Sequence, residues 1–120
     1  VLEAMRKDPN SKYLQRYGCR ALAYLLDKGS SKHRFVTKLD GLTTITAAMK
    51  EFPYNCSLQM LGCCVIIILS ELPELKDHLI EAGCVELAVT AFRLHKKSQN
   101  ADAAKLRDLA REITKCLMEA

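Results

Sequence analysis

Six cysteines and three histidines are the side chains of this chain best suited to chemistry, yet their spacing gives them little to do together. A nucleophile needs a base within hydrogen-bond reach and a third group to orient that base. His33 and His78 lie in short polar stretches. His95 sits in a basic cluster with Arg93, Lys96 and Lys97, where helix C-terminal charge accounts for most of the pattern and phosphate or acidic-partner binding is the alternative. None of the three stands in a motif with a cysteine or serine. The neighbours Cys63 and Cys64 look provocative, but on a helix adjacent side chains point about 100° apart. There is no glycine-rich phosphate loop, no HExxH, no carboxylate cluster at metal spacing and no CxxC pair. The chain therefore reads as non-enzymatic, without catalytic residues, metal ligands or cofactor.

Composition narrows the class further. The 120 residues are one domain's worth of chain, 49% hydrophobic and 27% charged, an ordinary globular balance. The longest apolar run, Cys63 to Leu69, spans seven residues and is too short for a bilayer. Val1 to Met5 enters helical periodicity directly, with no signal-peptide pattern. A net charge of +4 is weak for nucleic acid unless the cations cluster. Reduced, buried thiols fit the cysteine placement better than disulfides, which points to an intracellular, cytoplasmic protein with the nucleus as the open alternative.

The elements that position these residues repeat. Ala4-Met5, Pro9, Leu14-Gln15, Gly18-Cys19 and Leu25 return 44 positions later as Ala48-Met49, Pro53, Leu58-Gln59, Gly62-Cys63 and Leu69. Leu42, Ile45 and Ala48-Met49 return at Val85, Ala88 and Ala91-Phe92, now 43 apart. A helical period in the low forties is the signature of an α-solenoid. Ser30-Ser31 offers a cap for a short helix from Ser31 to Leu39. Asp40-Gly41 breaks it, a second helix follows from Leu42 to Glu51, and Pro53 stops the chain. Asn55 caps a third helix to about Glu71. The next unit repeats the plan: a short helix from Pro73 to Ala82-Gly83 and a second from Cys84 to His95. A loop follows from Lys96 to Ala101, about five residues longer than its counterpart, and Asp102 caps a final helix. Val1 to Lys7 and Ser11 to Lys28 are then a second and a third helix. The single domain divides into a partial repeat at 1–28 and repeats at 29–72 and 73–120.

These residues resemble the armadillo repeat family over nearly the whole chain. The third-helix pattern of an apolar-Gln pair, small residues and a closing leucine reads Leu14-Gln15, Gly18-Cys19, Leu25, and again Leu58-Gln59, Gly62-Cys63, Leu69. Ile80-Glu81-Ala82-Gly83 matches the family's first-helix ending. HEAT repeats are the nearest alternative. The resemblance implies an all-α, right-handed solenoid whose third helices line a concave groove, and a protein-interaction or scaffold role within a longer polypeptide. Importin-type members carry a Trp and an Asn per repeat there. The matching positions are Arg20, Cys64 and Lys115, and Tyr24, Ile68 and Glu119, and the chain has no Trp. With the column one turn earlier, the expected groove face is Arg16, Arg20, Met60, Cys64, Arg111 and Lys115. A basic rim around an apolar centre suits an acidic or amphipathic peptide. A regulatory segment beside a kinase-like domain is the second reading. An RNA-binding helical repeat is the third, disfavoured by aromatics at 6%. The apolar start at Val1-Leu2 suggests self-association through the N-terminal end.

Overall fold

The computed structural model describes residues 2–28 and 40–118. The helix expected from Ser31 to Leu39, its cap at Ser30-Ser31, His33 and Glu119 lie outside the described residues. Seven α-helices account for most of what is described: α1 (Leu2–Lys7), α2 (Lys12–Lys28), α3 (Asp40–Glu51), α4 (Cys56–Ser70), α5 (Lys76–Glu81), α6 (Cys84–Leu94) and α7 (Ala101–Met118). A 3-10 turn at Pro73–Leu75 leads into α5. Among the described residues there is no strand.

The helices form two layers. Long helices α2, α4 and α7 pack side by side in that order, and the shorter α1, α3 and α6 do the same against them. The thinnest dimension of the molecule, 24 Å, is about two helix diameters. α4 lies between α2 and α7, which is why its sequence is apolar nearly all round. Leu58, Cys63, Val65, Ile66 and Leu69 are fully buried, each of the larger ones worth about 1.5–3 kcal/mol. No helix among the described residues is long and apolar enough to cross a membrane.

The repeat seen in the letters is also a repeat of hydrogen bonds. In the α1–α2 turn, Asp8 N–H donates to Ala4 O, Ser11 N–H to Asp8 O and Gln15 N–H to Ser11 O. The α3–α4 turn makes the same three bonds: Phe52 to Ala48, Asn55 to Phe52 and Gln59 to Asn55. The side chains follow suit. Gln15 Nε2 donates to Met5 O (2.9 Å) and Asp8 O (3.0 Å), and Gln59 Nε2 donates to Met49 O (2.8 Å) and Phe52 O (3.0 Å). One buried amide thus satisfies two carbonyls that the end of the preceding helix leaves open. Ser11 and Asn55 cap the long helices, accepting from Leu14 N and Leu58 N.

Glycine recurs at Gly18 and Gly62 because the long helix approaches a methionine there. A Cβ on Gly62 would lie 2.6 Å from Met49 Sδ and 2.8 Å from its Cγ, and Met5 crowds Gly18 in the same way. Gly83, at φ 84°, makes the left-handed step between α5 and α6.

The third unit departs from the plan. Of its five extra residues, two lengthen the loop and three add a turn to α7, which has 18 residues where α4 has 15. Asn100, not Asp102, is the cap: its Oδ1 accepts from Asp102 N at 2.7 Å. Arg107 takes the role of the glutamine, its Nη1 donating to His95 O (2.9 Å) and Ser98 O (2.8 Å). His95 Nε2 in turn donates to Pro53 O at 3.0 Å and ties this loop to the α3–α4 turn.

Candidate binding face

The extra turn in α7 resets which residues correspond. With Arg107 in the place of Gln59, Leu106, Ala110, Ile113 and Leu117 fall on Leu58, Gly62, Val65 and Leu69, and all eight are buried. The counterparts of Met60 and Cys64 are then Asp108 and Glu112. Arg111 and Lys115 correspond to Cys63 and Ile67. The expectation that Arg111 and Lys115 complete one surface with Arg16, Arg20, Met60 and Cys64 does not hold, because the sequence register for the last helix was one turn off.

Arg111 and Lys115 line a different cleft, of about 560 Å³, between α6 and α7, with Val89, Phe92, Thr114 and Met118. The Arg111 guanidinium lies 5.1 Å above the Phe92 ring and its Nη1 is 3.4 Å from Asp108 Oδ1. This is the face that the first two units use for stacking. Thr46 of α3 is 5% exposed, whereas Val89, one repeat later, is 46% exposed. Cys63 and Ile66 are sealed, whereas Arg111 is exposed and Thr114 half-buried.

Of the other four expected residues, Cys64 lines a cleft among α2, α4 and α7, and Arg16 and Arg20 lie two turns and one turn before Tyr24 of that cleft on α2. Tyr24, Cys64, Ile67, Ile68 and Leu109 line a cleft of about 420 Å³ between the three helices, with Ala23 and Glu71 at its edge. Met60 lies one turn before Cys64, its Sδ 3.9 Å from the Cys64 Sγ. At the α2 end stand Arg16 and Arg20. The Arg16 guanidinium lies 5.7 Å from the Tyr13 ring centre and 5.2 Å from that of Tyr17. Such cation–π contacts hold an arginine head in place without neutralising it. Tyr13, Tyr17 and Tyr24 are each more than half exposed. At the α7 end the corresponding positions carry Asp108 and Glu112, with Lys105 near Cys64. The face therefore runs from basic and aromatic, through apolar, to mainly acidic.

Sequence reasoning passed over the tyrosines of Tyr13 and Tyr17. A tyrosine at helical spacing resembles core packing until the neighbouring helices are placed. Tyr17 corresponds to Leu61 and Leu109, both half-buried, so the substitution for tyrosine in the first unit was the available signal.

No family model, curated protein or solved structure matches the chain.

Burial pushes the Cys19, Cys63 and Cys84 thiols up to about 12, far from the thiolate form that attacks an electrophile. Cys64 is raised by its partial burial, offset by the nearby charge of Lys105, and Cys56 is raised for the same first reason. All six cysteines are free; three are buried, Cys56 and Cys64 are half-buried, and Cys116 is exposed. Among the described residues no three His, Cys, Asp or Glu side chains gather as a metal site. Nor does any buried side-chain nitrogen or oxygen among them lack a partner.

Proposed function

We propose that this chain is an armadillo-type solenoid segment that acts as a non-catalytic protein-interaction module within a longer polypeptide. Its binding surface on this reading is the groove along α2, α4 and α7. The observation that carries it is the apolar cleft at Tyr24, Cys64, Ile68 and Leu109, with exposed Arg20, and Arg16 held between the rings of Tyr13 and Tyr17, on the preceding turns of α2. Exposed aromatic and arginine side chains beside a desolvated pocket are the composition of interface hot spots. The partner segment that fits carries acidic residues over α2, an apolar anchor in the cleft and basic residues over Asp108 and Glu112.

The test is fluorescence anisotropy with a labelled peptide built as a glutamate block, two leucines and a lysine block. Arg16→Glu with Arg20→Glu should weaken binding at least about tenfold, and Ile68→Asp should abolish it. Arg111→Glu with Lys115→Glu, on the other cleft, should leave it unchanged. Equal loss from both charge reversals would mean that bulk charge, and not this groove, holds the peptide.

A further inference from the structure

The outer face of α6 and α7 occupies stacking positions and stays exposed among the described residues. Where α4 has Cys63, Ile66 and Ile67, the next unit carries Arg111, Thr114 and Lys115. Cys63 and Ile66 are fully buried, whereas Val89 is 46% and Met118 is 68% exposed. Phe92 lines the cleft between the two helices, beneath the Arg111 guanidinium. An apolar cleft on an open stacking face is a surface that a partner can cover.

The charges on α7 say which partner fits. Asp108, Arg111, Glu112 and Lys115 are all exposed, and their spacing of three, four and seven residues puts them on one stripe of the helix. Reversing the direction of the helix exchanges every acid on this stripe for a base. A two-fold axis crossing between Arg111 and Glu112 therefore sets Asp108 opposite Lys115 of a second copy, and Arg111 opposite its Glu112. Each pair then occurs twice, because a two-fold interface is self-complementary. The same register brings Met118 beside Lys105 and the small Ala104 of the other copy, and turns the two apolar clefts toward each other.

Other arrangements of two copies lose this match. Parallel α7 helices would set each charge against itself. A head-to-tail stack would bring up α2, which carries Lys12, Arg16 and Arg20 with no acid before Asp27, so cations would meet Arg111 and Lys115. The Arg111–Asp108 contact within one chain joins exposed groups at 3.4 Å. Such a pair is weak by itself, so both groups can turn to a second copy.

The size of the face sets the strength. α7 is about 27 Å long and the two layers are 24 Å deep. Full overlap would cover about 650 Å² of each copy, near the lower limit for specific interfaces, and corresponds to a dimer in the micromolar range.

We propose that the chain forms a two-fold dimer through this end face, with α7 packed antiparallel on α7 of a second copy and the two apolar clefts buried between them.

The test is sedimentation equilibrium of the whole chain in a concentration series reaching about 1 mM, with reductant present because Cys116 is exposed. A monomer–dimer equilibrium is expected, with no larger species. Lys115→Asp puts like charges at both symmetric positions and should weaken the dimer at least about tenfold. Adding Asp108→Lys exchanges the two signs, and the double variant should recover most of that loss. Val89→Asp should abolish dimerisation, while Ile68→Asp, in the groove, should leave it unchanged and so separates the two surfaces. Circular dichroism confirms folding of each variant. A chain monomeric at about 1 mM, a dimer indifferent to Lys115→Asp, a double variant no better than the single one, or association that Arg16→Glu with Arg20→Glu breaks instead would each overturn the proposal.

Discussion

Gln59 offers a sharp test of how the repeats are held. Its side chain is 2% exposed and its amide donates to Met49 O and Phe52 O at 2.8 and 3.0 Å. Gln59→Leu keeps most of the volume and removes both donors. The Met49 carbonyl is then buried without this partner, at about 1–3 kcal/mol, while the partly buried Phe52 carbonyl is recovered by water at about 0.5–1.5 kcal/mol. The expected loss is about 2–4 kcal/mol, a fall in Tm of roughly 10 °C for a chain of this length. Gln59→Glu is nearly the same shape with the opposite electrostatics, since a carboxylate would face two carbonyl oxygens. It should be worse than leucine at pH 7. Its folded pKa must rise above the unfolded value of about 4.3, because only the protonated acid can donate. The variant's missing stability should therefore return in part as pH falls toward 4, and disappear again as pH rises through the folded pKa. Urea unfolding followed by circular dichroism at pH 4 and pH 7 measures both effects. A Gln59→Leu variant within about 0.5 kcal/mol of wild type would refute the role given to the amide. So would a Gln59→Glu variant whose deficit is the same at both pH values.

Other expectations follow from the same geometry. Gly62→Ala gains about 1 kcal/mol of helix propensity, yet should be net destabilising by about 1–3 kcal/mol, because Met49 is buried and cannot yield its place; thermal unfolding decides the sign. Arg107→Met should cost about 1–3 kcal/mol and loosen the 95–100 loop, read as faster amide exchange at Ser98 and Asn100. In alkylation followed by mass spectrometry, exposed Cys116 should react before Cys64, and Cys19, Cys63 and Cys84 only on unfolding. The raised thiols also predict an alkaline limit. Their contribution is complete below the unfolded thiol value of about 8.5 and is lost as pH rises toward 12, so the urea midpoint should fall above pH 9.

The first two units were legible because each letter that repeats has a repeated physical duty. Gln15 and Gln59 return because glutamine satisfies carbonyls, while Gly18 and Gly62 return because a methionine stands over them. The amide's acceptors could not be read, since Met5 and Met49 lie ten residues upstream and only folding brings them within reach. The third unit failed at a definite place. Five inserted residues can lengthen a loop or a helix, and the helix-forming run Ala101-Asp102-Ala103-Ala104-Lys105 behind Asn100 was the clue that three of them extend α7. That one turn carried Arg111 and Lys115 from the expected groove to the end cleft. It replaced them with Asp108 and Glu112, which changes the partner's expected charge pattern.

The most direct measurement is a titration of isotopically labelled protein with the glutamate–leucine–lysine peptide, followed by amide chemical shifts. The expected result is a continuous track of shifts through Arg16, Arg20, Cys64, Ile68 and Leu109, with Val89 and Met118 still. Shifts centred on Val89, Phe92 and Met118, or none at saturating peptide, would contradict a binding groove on the long helices.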